Sequence, residues 1–145
     1  MMTQSAGETR RLGEKLAAFL QPGDVVLLEG ELGAGKSELA RGIASGLDVQ
    51  ETVTSPSFTI LNVYESGIVP LYHFDWYRLE SGEELYELGL DEYLGGDGIA
   101  LVEWPWRCPE AVPENCLRIQ IEITGEHTRR ITAAPSGNFR RVSLE

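Results

Sequence analysis

The stretch richest in chemistry is Gly30-Glu31-Leu32-Gly33-Ala34-Gly35-Lys36-Ser37, which fits G-x-x-x-x-G-K-[ST]. Glycines at this spacing let the backbone curl until successive N–H groups converge on one anion. The N-terminus of the following helix adds its partial positive charge to that attraction. In such a loop Lys36 reaches the β- and γ-phosphates of a nucleotide, and the Ser37 hydroxyl ligates Mg2+. With glycine at its ordinary frequency, a chance match is on the order of one in a few hundred. The bland alternative is a Gly-rich turn between a strand and a helix.

A phosphate-binding loop that works with Mg2+ also needs acidic groups, best placed at the carboxyl ends of neighbouring strands. Asp75 closes the apolar run 68–74 and Glu103 closes 99–102. Either carboxylate could hold the metal together with Ser37, since Mg2+ accepts sparse protein ligation. Against this stand two structural readings: Asp75 as the cap of a turn, and Glu103 as the ion-pair partner of Arg78 or Arg107. Guanine recognition usually involves an Asn-Lys-x-Asp element, and the only lysines are Lys15 and Lys36. Adenine, and hence ATP, is the better expectation. No Arg-rich lid insertion is visible, which weighs against a small-molecule kinase.

The elements that must position these residues can be read from periodicity. Ser5 and Glu8 form an S-x-x-E capping box, followed by Leu12, Leu16, Phe19 and Leu20 at helical spacing and closed by Gln21-Pro22-Gly23-Asp24. Residues 25–29 are a nearly continuous apolar run, as in a strand buried on both faces. They lead directly into the glycine loop. Leu39, Ala40, Ile43, Ala44 and Leu47 mark the helix beyond it. The runs 58–64 and 68–77, separated by Glu65-Ser66-Gly67, predict neighbouring antiparallel strands. Ser81 and Glu84 suggest a second capping box, 98–104 a buried strand, and 116–123 with 128–133 a terminal hairpin. This order predicts one α/β domain over residues 1–145: a P-loop NTPase-like mixed β-sheet flanked by helices, with a C-terminal β-hairpin.

Composition narrows the function classes. The 145 residues are 42% hydrophobic and 24% charged, a balance suited to a compact soluble domain. Twelve basic against 23 acidic residues leave a net charge of −11. That argues against a stand-alone nucleic-acid binder and against docking on anionic lipid. Cys108 and Cys116 have no neighbouring Cys or His to complete a zinc site, and both are expected to be reduced. Neither a signal peptide nor a membrane span is evident, so a cytoplasmic location is expected. The segment 80–97 carries seven acidic residues and no basic one. It reads as a solvated face or as a docking surface for a basic partner.

Four stretches together resemble the TsaE family, the small ATPase of bacterial tRNA threonylcarbamoyladenosine synthesis. They are GELGAGKSELARG (30–42), VTSPSFT (53–59), LYHFDWYRLE (71–80) and ALVEWPWR (100–107). HFDxYR and VEWP are far more specific than the glycine loop alone. The resemblance implies that Ser57 senses the γ-phosphate, that Asp75 is the metal-side carboxylate, and that Glu103 ligates Mg2+ or orients the attacking water. It also implies that Trp104 shapes the site, although from its residue type an aromatic core plug is almost equally plausible. It further implies that Ala6 and Thr9 lie near the adenine and that Arg130 touches the nucleotide. The implied partners are the TsaD and TsaB proteins, with tRNA engaged only through them.

Three positions depart from the family pattern. Glu38 brings an extra negative charge toward the phosphates, Ser57 stands where Thr is common, and Trp106-Arg107 follows VEWP. The alternatives to a partner-dependent ATPase are an assembly factor gated by nucleotide with incidental hydrolysis, and a small-molecule P-loop kinase.

Overall fold

The computed structural model describes residues 1–31, 33–56 and 59–144. Ten elements carry the fold: β1 (Met2–Thr3), α1 (Ala6–Ala17), β2 (Val25–Gly30), α2 (Lys36–Gly46), β3 (Leu61–Tyr64), β4 (Leu71–Asp75), α3 (Gly82–Glu87), β5 (Ile99–Glu103), β6 (Cys116–Ile123) and β7 (Arg129–Ser136). Short 3-10 turns at Asp91–Tyr93, Pro105–Arg107 and Pro109–Ala111 connect the later ones. The strands form one sheet in the order β1-β7-β6-β2-β5-β4-β3.

The expected mixed α/β sheet and terminal hairpin are present. β2 lies at the centre, parallel to β5 and β6, and β4 runs parallel to β5. β3, β7 and β1 complete the two sides through antiparallel pairs. Alternation along β2 explains its unbroken apolar run. Val26 and Leu28 enter a core with Leu12, Leu16, Leu39 and Ile43 of α1 and α2. Val25 and Leu27 enter a second core with Phe74, Trp76, Leu85 and Cys108. Each face of the sheet is thus covered, as a parallel centre requires.

Local signals were honoured unevenly. The Ser5 hydroxyl accepts the Glu8 N–H at 3.1 Å, but the Glu8 carboxylate accepts from Gln4 N–H at 2.6 Å, one residue before the expected cap. At α3 the second box does not close: Ser81 makes no side-chain cap, and the Gly82 N–H goes to the Glu110 carboxylate from a distant turn. The first helix ends at Ala17, and tighter turns carry the chain through Leu20 before the Pro-Gly segment. Of the strands read as 58–64 and 68–77, Leu61–Tyr64 and Leu71–Asp75 pair among the described residues, and Phe58 lies outside those residues.

Helices α1 and α2 meet at glycine. A Cβ on Gly13 would lie 2.5 Å from the Leu39 carbonyl oxygen, and one on Gly42 would collide with the Arg10 carbonyl. The backbones are therefore in direct contact. That contact brings the start of α1 to the glycine loop, where the Thr9 methyl comes within 3.8 Å of the Cβ position of Gly35.

An alanine replacing a helical glycine ordinarily stabilises by up to about 1 kcal/mol. For Gly42→Ala the sign should reverse, with a loss of about 1–3 kcal/mol from overpacking against α1. Urea denaturation measures this, and a gain in stability would refute the close helix contact.

Candidate functional site

The turn from β2 into α2 is shaped by two left-handed glycines, Gly33 at φ 83° and Gly35 at φ 110°. No other residue type adopts these angles without strain. Gly35 is the N-cap of α2 and offers no side chain to the helix, so the first-turn amides are left for another acceptor. The outward carbonyls of the same loop are engaged: Arg129 donates to Ala34 O at 3.0 Å and to Gly33 O at 3.3 Å. Within the loop the Ala34 N–H donates to the Glu31 carbonyl at 2.9 Å. Leu32 lies outside the described residues.

Lys36 opens α2 and is only 6% exposed. Its Nζ makes no hydrogen bond among the described residues and sits 4.2 Å from the centroid of the Trp104 ring. Burial pushes its pKa below the usual lysine value, while the negative charges of Glu103 and Asp75 oppose that shift. A buried ammonium with its donors unused, at a helix N-terminus, is an anion seat.

Asp75 and Glu103 end the parallel strands β4 and β5 and are register partners. Both are buried. Asp75 Oδ1 accepts the Tyr77 N–H at 2.9 Å, so its turn-capping role is real and coexists with its place in the site. Glu103 does not take an arginine as its partner. Its Oε2 is 2.7 Å from His73 Nε2. Arg107 instead donates to the Tyr77 carbonyl and lies over the Tyr77 ring.

Lys36, Ser37, Ser55, Asp75, Glu103 and Trp104 line a cavity of about 250 Å3 beneath the glycine loop. Its metal-capable donors are all oxygens: the hydroxyls of Ser37 and Ser55 and the carboxylates of Asp75 and Glu103, with a third carboxylate, Glu38, tied to Arg10 and Arg41. Such a set fits Mg2+ completed by phosphate and water. Ser57 lies outside the described residues. Upstream of it, the strand β3 holds the chain: Tyr64 Oη accepts from Thr54 N–H at 3.2 Å, and Asn62 donates to Thr54 O at 3.3 Å.

On the other side of the loop a cavity of about 190 Å3 is lined by Ala6, Thr9, Gly33, Ala34 and Gly35, with Arg129 and His127 from the hairpin. Arg130 is not there. It points to the opposite face of β7 and pairs with Glu122 at 3.3 Å. The side chain at the loop is Arg129, and alternation could have found it, because the core residue Ile131 shares its face of the strand. Glu38 does not stand as an unpaired charge near the phosphates: Arg10 and Arg41 bind it at 2.8 and 2.7 Å. Trp104 is no core plug. It is half-buried at φ 60°, stacked edgewise with Trp106 and beside Tyr77, both of which are exposed. A larger groove of about 470 Å3 runs past Glu29, Glu31 and Glu122, and its negative charge suits no polyphosphate.

Arg129→Ala should loosen the loop. Amide hydrogen exchange over residues 33–35 is expected to rise, with about 1 kcal/mol lost in global stability. Arg130→Ala should leave exchange in the loop unchanged, and equal effects of the two substitutions would refute the distinction.

Comparison with known proteins identifies the family. The family model described as threonylcarbamoyl adenosine biosynthesis protein TsaE matches residues 3–131. The tRNA threonylcarbamoyladenosine biosynthesis protein TsaE of Bacillus subtilis (strain 168) is 46% identical over 136 residues, 94% of this chain and 85% of that one. The protein of the same name from Treponema pallidum (strain Nichols) is 40% identical over 133 residues, covering 92% and 98% of the two chains. The crystal structure of Bacillus subtilis YdiB superposes with a TM-score of 0.83 at 42% identity, over 95% of this chain and 85% of that one. With the matched region running from β1 into β7 and through every strand that lines the cavity, the chain belongs to the TsaE family.

Proposed function

We propose that this protein binds and hydrolyses ATP with Mg2+ and thereby supports threonylcarbamoylation of adenosine in tRNA, acting through TsaD and TsaB. The observation that carries the reading is the Lys36 ammonium, buried at the start of α2 and without a hydrogen-bond acceptor among the described residues. Polyphosphate is the ligand whose charge and oxygen count match that seat together with the free amides of α2. The tRNA role rests on membership of the TsaE family.

Each group then has a task. The loop amides and Lys36 bind the β- and γ-phosphates and neutralise charge that grows on them as the terminal bond breaks. Ser37, Asp75 and Glu103 would hold Mg2+, which when bound supplies charge neutralisation across the phosphate oxygens. Glu103, held by His73, either completes that oxygen set or orients the attacking water. The pocket beside Ala6, Thr9 and Arg129 takes the adenosine end. A net charge of −11 fits a protein that reaches tRNA only through its partners. No helix among the described residues is long and apolar enough to cross a membrane, and a cytoplasmic location suits the substrate.

One observation favours a second reading, in which nucleotide state gates assembly. The Lys36 ammonium touches Trp104, and Trp104 touches the exposed Trp106 and Tyr77. A phosphate drawing Lys36 away from the ring would be felt at that surface. Phosphate release with and without TsaD and TsaB separates the readings: stimulation by the partners supports a driving ATPase, and assembly without turnover supports the gate.

Lys36→Ala is expected to abolish measurable ATP binding in calorimetry. In the wild type, affinity should fall with rising pH earlier than an ordinary lysine would dictate. The bound form needs the ammonium, and the free protein loses its proton at a lowered pKa. Affinity constant across the alkaline range would refute the role of Lys36.

Glu103→Gln keeps the shape and removes the charge, so ATP should still bind while turnover drops by about 10²–10⁴-fold. Parallel loss of melting temperature, binding and turnover would mark Glu103 as merely structural.

A further inference from the structure

Three charged side chains meet in the cavity, yet they do not collapse onto one another. Lys36 Nζ feels both carboxylates but hydrogen-bonds to neither. Asp75 is engaged by the Tyr77 backbone N–H, and Glu103 by His73. His73 belongs to the HFDWY stretch and is not among the residues that line the cavity. Its side chain is 2% exposed and that of Glu103 is 7% exposed, so their hydrogen bond is shielded from water.

An ionised Glu103 carboxylate can only accept, so with Glu103 ionised this bond requires a proton on Nε2. Nδ1 has no partner among the described residues. Strand register fixes where the ring stands. His73 lies two residues before Asp75 on β4 and opposite Leu101, so it shares a face with Glu103 and reaches it diagonally across the parallel pair. Oε2 of Glu103, a residue that lines the cavity, is thereby tied to the ring.

We propose that His73 is a positioning residue that holds Glu103 away from Lys36, so that the ammonium stays available to phosphate and the carboxylate to metal or water. The inference rests on the nucleotide reading above. A glutamate has three side-chain torsions, and a buried ammonium with unused donors is its strongest local attractor. Removal of the His73 donor lets Glu103 close onto Lys36, which occupies both groups at once. The loss would therefore appear in metal-free ATP binding as well as in the metal requirement.

The test compares His73→Met, which roughly keeps the volume and lacks the donor, with His73→Gln, which keeps an N–H donor. Each is made in the wild type and in Glu103→Gln. ATP affinity is measured by calorimetry without metal and across a Mg2+ titration, alongside turnover and thermal melting. His73→Met should weaken metal-free ATP binding and raise the Mg2+ needed for half-maximal response about 10–100-fold. His73→Gln should recover most of that loss. In the Glu103→Gln background His73→Met should cost much less metal-free binding than in the wild type, because a neutral amide attracts the Lys36 ammonium far more weakly than a carboxylate does. Equal losses in both backgrounds, or equal losses for Met and Gln, overturn the positioning role alone. Absence of ATP binding by the wild type overturns the nucleotide reading and this inference with it. Undiminished turnover in Glu103→Gln leaves that reading standing and overturns the inference, because it removes Glu103 from the site's chemistry. Should His73→Met not fold, ¹⁵N NMR of the wild-type ring decides: the Nε2–H form is expected, and an Nδ1–H form refutes the proposal.

Discussion

A cation taken out of water with no hydrogen-bond acceptor among the described residues is the constraint on which this structure turns. Holding Lys36 so at 6% exposure is costly, and the fold offsets that cost with the face of the Trp104 ring and the fields of two carboxylates rather than with hydrogen bonds. The helix N-terminus works against the ammonium, since both ends of that pairing are positive. Asp75 and Glu103 work for it, and they can do so only because β4 and β5 are parallel and end together. An antiparallel pairing would send one carboxylate to the far end of the sheet. The central parallel order β6-β2-β5-β4 is therefore an electrostatic requirement as much as a packing solution.

The glycine loop is fixed from three directions. From beneath, Ala34 is fully buried in the helical-side core. From one flank, the glycine contact between α1 and α2 sets Thr9 against Gly35, and the Thr9 hydroxyl meets that of Thr3 at 2.8 Å. From the other flank, Arg129 ties the loop carbonyls to the hairpin, and the Met2–Thr3 strand pairs with β7 at Arg129 and Arg130. The N-terminal strand, the last hairpin and the loop are thus one connected frame. A preorganised cradle spends less of its binding energy on ordering itself when a ligand arrives.

Much of this was legible in the residues. The strand-loop-helix order around Gly30–Ser37 followed from an apolar run, a glycine pattern and a helical period that agree with each other. Asp75 and Glu103 were visible because each closes an apolar run. What escaped depended on relations between distant segments. The choice of Arg129 over Arg130 is a question of strand phase, settled by Ile131 packing inward. The pairing of His73 with Glu103 requires the β4–β5 register, which no local pattern encodes. Glu38 looked like an isolated charge because Arg10, which neutralises it, is brought there only by the helix contact. The Glu110 carboxylate that meets the Gly82 N–H at the start of α3 is likewise supplied from elsewhere in the chain.

The margins of the sheet carry a consequence of their own. On one side it ends in β3, four residues long; on the other β1 covers only the first part of β7. Beyond that cover, Pro135 interrupts the exposed row of β7 with a residue that has no N–H to offer. Neither border presents a long, regular ladder onto which a foreign strand could zip, and the strong net negative charge discourages approach of like molecules. A small protein with a parallel, strongly apolar sheet centre is open to strand-to-strand self-association while it folds. Here the guard against that fate is built into the two places where the sheet stops.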